Sequence, residues 1–92
     1  MPLPDFAEFE RQALGEGFDQ VLERIWAPDT VVPTHDHPFS VKALVVAGEM
    51  WLTVGEQTQH LLPGNTFELD HSAPHAERYG PAGATYWVAR RN

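Results

Sequence analysis

From Phe18 onward the chain is cut into short pieces, and this punctuation limits its fold more than any other feature. Turn-forming groups recur at Ala27-Pro28-Asp29, Gly48-Glu49, Gly55-Glu56, Pro63-Gly64-Asn65, Gly80-Pro81 and Gly83. Between them lie strand-like segments at Asp19–Trp26, Val41–Ala47, Met50–Val54, Thr58–Leu62, Thr66–Leu69, His75–Tyr79 and Thr85–Ala89. Short strands at this spacing predict an all-β sandwich or barrel. Residues 4–15 read differently, as a short amphipathic helix. Asp5 can cap it, with Glu8 three residues on as in a capping box. Phe6, Phe9, Ala13 and Leu14 form its apolar face, and Gly15 and Gly17 end it. The expected organisation is one domain over residues 1–92, with the helix at 4–15 and the barrel at 18–90. The helix is expected to cover an open end of the barrel or to pack on a partner subunit.

Chemistry concentrates in the histidines. His35 and His37 stand at i and i+2, a spacing that points both imidazoles to one face of an extended segment. His75 follows Pro74 at the edge of another strand-like segment, and it can complete a face of three imidazoles. Such a face binds a divalent transition metal and leaves the opposite positions open for water, substrate or oxygen. Iron, zinc, nickel, manganese and copper all suit it. Glu77 lies two residues beyond His75 on the same face. It reads as a distant ligand, a partner orienting an imidazole, a general base, or a solvated carboxylate beside Arg78. Tyr79 is next along that face and could donate a hydrogen bond to substrate. His60 is expected to face outward, and His71 to line the rim or face water. Phe39 reads as a pocket wall or a dimer contact. Val41, Ala43, Val45 and Ala47 are candidates for a small apolar wall.

The bulk numbers exclude several classes. With no cysteine, disulfides, thiolate metal sites and a cysteine nucleophile are ruled out, and a reducing compartment fits. No apolar run approaches the ~20 residues of a membrane helix, and the first residues lack a signal-peptide pattern. A cytoplasmic protein is therefore expected. The net charge of −7 argues against nucleic acid and anionic membranes as partners. At 92 residues the core is modest, and oligomerisation would help it.

Two motifs give these residues a family likeness. The first cupin motif reads Gly, five residues, His-x-His, three or four residues, Glu, six residues, Gly. Asp29 stands at its first Gly, His35 and His37 at the pair, Val41 at the Glu and Gly48 at the close. The second reads Gly, five residues, Pro-x-Gly, two residues, His, three residues, Asn. Gly64, Asp70, Ser72, His75 and Tyr79 fill those places. The sequence therefore resembles a small single-domain cupin from about Phe18 to Val88. The resemblance implies a double-sheet jelly roll and a metal held by His35, His37 and His75 in the barrel mouth. It also implies a homodimer, since small cupins are commonly dimers. The motif's carboxylate ligand is absent, because Val41 cannot coordinate. What remains is a charge-neutral, all-nitrogen site, suited to an anionic or enolate-forming chelating substrate.

Two functions follow as expectations. One is a metal-dependent enzyme, dioxygenase- or isomerase-like, acting on a small oxygenated metabolite, with Glu77 or Tyr79 moving a proton. The other is a non-catalytic module that binds or senses a small molecule or metal. A metal-free cupin with a histidine acid–base pair is a weaker third, and the scarcity of lysine and arginine argues against a phosphorylated substrate for it.

Overall fold

The computed structural model describes residues 3–92. Its elements are α1 (Phe6–Gly15), β1 (Gln20–Trp26), β2 (Val31–His35), β3 (Ser40–Val54), β4 (Gln57–Leu61), β5 (Thr66–Leu69) and β6 (His75–Arg91). The all-β expectation holds, and the fold is a jelly roll. Two long strands organise it. The first half of β3 pairs with the second half of β6, with β1 and β5 as flanks. The second half of β3 pairs with the first half of β6, with β2 and β4 as flanks. Each long strand therefore serves both sheets.

That arrangement corrects the expected segmentation. Gly48-Glu49 and the Gly80–Gly83 stretch are not turns between strands. They are corners inside β3 and β6, and seven short strands become six, two of them bent. Gly48 sits at φ +74 and Gly83 at φ +71, in the left-handed region that favours glycine. Space matters there as much as conformation. A Cβ on Gly48 would run into the carbonyl oxygen of Gly83, and one on Gly83 into the carbonyl oxygen of Trp26. The strand β2 was not anticipated, since it is short and carries Pro33, which a strand tolerates at an edge. The two motif glycines that this chain lacks are instructive. Asp29 at φ +58 and Ser72 at φ +62 keep the left-handed backbone without the glycine.

Side chains alternate between an inner and an outer face. Val41, Ala43, Val45, Met50, Leu52, Phe67, Leu69, Tyr86 and Val88 form the inner core between the sheets. Ala47, expected on that wall, is exposed, because the register slips between Val45 and Ala47 and the alternation shifts.

The helix begins as expected. Asp5 accepts a hydrogen bond from the Glu8 amide at 2.8 Å, satisfying one of the free first-turn donors. Its location is a correction. It does not plug the barrel end but lies on the outer face of the first sheet. Phe9 and Ala13 bury against Leu44 and Ala89, with Val21, Val46 and Trp87 around them. Phe6 meets the Trp87 ring edge-on, centroids 5.6 Å apart. Burying Phe9 contributes roughly 1.5–3 kcal/mol. Leu14, assigned to this apolar face, is instead 48% exposed. No helix among the described residues is long and apolar enough to cross a membrane.

Candidate metal centre

His35 ends β2 and His75 begins β6, and the two are paired across the antiparallel register. His37 lies just past β2. The three imidazoles converge: one ring nitrogen from each lies within 4.8 Å of the others. His75 is buried, while His35 and His37 are half-buried.

The tautomers of two rings follow from their hydrogen bonds. His35 Nδ1 lies 2.9 Å from the carbonyl oxygen of Pro33, and His75 Nδ1 lies 2.9 Å from that of Ala73. A carbonyl only accepts, so both Nδ1 atoms carry a proton, and Nε2 is the atom each ring can offer to a metal. His37 is oriented by Phe39, whose ring lies parallel to it at 4.7 Å. Phe39 is thus a pocket wall. Partial burial and the neighbouring His75 and His35 push the His37 pKa below 6.5, which favours its neutral form. Converging, pre-oriented imidazoles fit a divalent transition ion. Val41, buried in the same wall, offers no fourth donor.

These residues line a cavity of about 210 Å³. Leu22, Val41, Phe67 and Val88 supply apolar walls, and Trp26 adds an aromatic one. Glu77 also faces it. The solvated reading of Glu77 is overturned, because the residue is 7% exposed. Its Oε1 accepts hydrogen bonds from Tyr79 at 2.6 Å and from Tyr86 at 3.3 Å. Its Oε2 lies 3.7 Å from His35 Nε2. Glu77 neighbours His35 but stands outside the converging set of three.

Tyr79 is buried at 1% exposure, stacks on Trp26 with centroids 4.9 Å apart, and spends its hydroxyl on Glu77. It supports the wall instead of lining the cavity. Tyr86, not singled out as a site residue, lines the cavity. The alternation of Thr85–Ala89 contains this signal, but Trp87 made the opposite face look equally apolar. Burial and Glu77 raise the pKa of both phenols above the usual 10.0.

The remaining histidines stay outside the centre. His60 stacks on Trp51 at 4.7 Å on the outer surface and bonds Glu49 at 2.7 Å. His71 is exposed and contacts Ser72 Oγ at 3.0 Å.

No family model matches the chain, and no curated protein matches it. Solved structures do. A chain from the crystal structures of the DMSP lyases RdDddP and RnDddQII superposes with a TM-score of 0.73 and 25% identity, covering 78% of this chain and 37% of that one. An RmlC-like cupin from Shewanella frigidimarina gives 0.69 at 18% identity, covering 79% and 66%. The Cupin_2 domain of an XRE family transcriptional regulator from Enterobacter cloacae gives 0.65 at 18% identity, covering 78% and 79%. Fold and neighbours together define a small domain with the cupin fold. It carries a three-histidine cluster able to hold a metal. The chain spans little more than a third of the matching lyase, at 37%.

Proposed function

We propose that this cupin is a metal-dependent enzyme that moves a proton on a small oxygenated metabolite. The observation that carries the reading is Glu77, a buried carboxylate sharing one small cavity with three converging imidazoles. A divalent ion held by His35, His37 and His75 would polarise a substrate oxygen, and a redox-active ion would also open oxygen chemistry. The chain's own part is positional. The Tyr79 and Tyr86 hydroxyls hold Glu77 Oε1, which leaves Oε2 as the free oxygen near His35. In this reading that oxygen takes a proton from a carbon beside the bound carbonyl and returns it to a neighbouring atom, which is isomerisation. Tyr79 acts as a positioning residue, and Tyr86 is the phenol within reach of substrate. Apolar walls keep bulk water from competing.

The test begins with elemental analysis of tag-free protein after reconstitution. Near-stoichiometric metal is expected in the parent and in Glu77→Gln. Small hydroxy- and oxo-compounds are then incubated in deuterated water and followed by NMR. Exchange at a carbon beside a carbonyl should occur with the parent and vanish with Glu77→Gln. A protein that takes up no metal, or a variant that exchanges as fast as the parent, would sink the reading. Oxygen consumption in place of exchange would favour the dioxygenase version.

A second reading is a binding module, favoured by Val41 at the place of the motif's carboxylate ligand. Similarity to a regulator's cupin domain over 79% of that domain fits it too. Saturable metabolite binding without exchange or turnover would support it.

A further inference from the structure

Two cations line the same cavity as the imidazoles and have no part in the proton transfer. They are Arg24 of β1 and Arg90 of β6. The chain has only six lysines and arginines against thirteen acidic residues, so two arginines on the lining of one small cavity, Arg24 exposed and Arg90 half-buried, are a marked concentration. Among the described residues, neither forms an ion pair. The ion pairs recorded are His35–Glu77, Lys42–Glu16 and His60–Glu49.

Both guanidinium groups sit over aromatic rings. Arg24 lies 4.9 Å over Trp26, and Arg90 lies 4.8 Å over Phe39. A cation–π contact steadies a guanidinium and leaves N–H groups free to donate. Arg90 is steadied further by the side-chain oxygen of Gln20. The register explains their spacing. On the inner face, Gln20 pairs with Arg90, Leu22 with Val88 and Arg24 with Tyr86. The arginines therefore flank an apolar Leu22–Val88 rung. The stack that carries Arg90 continues to the metal centre, since Phe39 also orients His37.

Resting on the proposed site, we propose that Arg24 and Arg90 recognise an anionic group of the substrate, and that the substrate is a small carboxylate. A planar, pre-oriented guanidinium pairs with a carboxylate through two parallel hydrogen bonds. The volume of about 210 Å³ lies below the ~300–1,000 Å³ usual for drug-sized ligands, so the acid is a small one. The apolar rung between the arginines accommodates its carbon chain.

The probes are glycolate and its neutral amide, glycolamide, titrated by NMR into metal-free and zinc-loaded protein. The expected result is an affinity for glycolate about tenfold or more above that for glycolamide, in both forms. The Arg24→Gln/Arg90→Gln double variant should lose this preference while keeping the folded spectrum and zinc uptake of the parent. Arg24→Lys/Arg90→Lys should restore part of it through charge alone. Equal binding of acid and amide by the parent overturns the proposal, and so does a preference that survives the double glutamine variant. If no zinc loads but an arginine-dependent preference remains, the anion site stands and the metal reading falls.

Discussion

The two faces of β3 and β6 are built from alternating residues of the same strands, yet they do different work. On the outer face, Leu44, Trp87 and Ala89 meet Phe9 and Ala13 of the helix in apolar contact. On the inner face, His75, Glu77, Tyr86 and Arg90 gather around a cavity. The outer contact needs only matching shape and hydrophobicity, so many residues could serve. The inner one needs specific donors and acceptors, because a buried polar group left without a partner costs about 1–3 kcal/mol. Parity along a strand thus separates what stabilises the molecule from what gives it chemistry.

His35→Ala should break the inner face with the largest effect. A structural zinc site releases roughly 10–16 kcal/mol over its ligands, so losing one of three should weaken zinc binding on the order of a thousandfold. Competition against a chelator measures this, and the metal-free melting free energy should change by less than about 1 kcal/mol. Phe9→Ala is the outer counterpart. It should cost about 3 kcal/mol in urea unfolding and leave zinc affinity unchanged. Coupling between the two results would show that the faces are not independent.

Alkaline titration sharpens the contrast. The chain has two tyrosines, and both bond Glu77. Their pKa values are raised, so the folded chain keeps protons that an unfolded chain releases near 10.0. Stability therefore falls as pH climbs past 10, because the unfolded state binds fewer protons. Tyrosinate absorbance should rise with unfolding and not before it. An independent titration near pH 10 in the folded protein would remove the buried triad.

The smallest effect concerns neither face. Ser72→Gly should raise stability by about 1 kcal/mol or less, relieving a left-handed residue at φ +62. A drop in the unfolding midpoint would contradict it.

Much of this was legible in the sequence, and the limits have physical causes. The helix cap was local, so Asp5 and Glu8 revealed it. The histidine trio was legible because its motif spacing reflects a fixed pairing of β2 with β6. The corners were not, because Gly48 is required by the backbone of Gly83, 35 residues later, and Gly83 by the backbone of Trp26, 57 residues earlier. Read locally, a glycine in a strand pattern looks like a turn. Tyr86, Arg24 and Arg90 escaped notice because their inward direction depends on the phase of strands whose two faces are both partly apolar. Ala47 was misplaced because the register slips after Val45, and Leu14 because it lies one helical step, about 100°, past Ala13.

One local detail has a wider consequence. His35 and His75 are each aligned by the carbonyl two residues earlier in their own chain segment. Each ligand is therefore aimed by a tripeptide, without help from the barrel walls. Substitutions at Leu22, Phe67 or Val88 can reshape the chamber while the imidazoles keep their bearing. His37 alone leans on a wall residue, Phe39, so selection for a new substrate can proceed in the other walls without re-tuning the ligands.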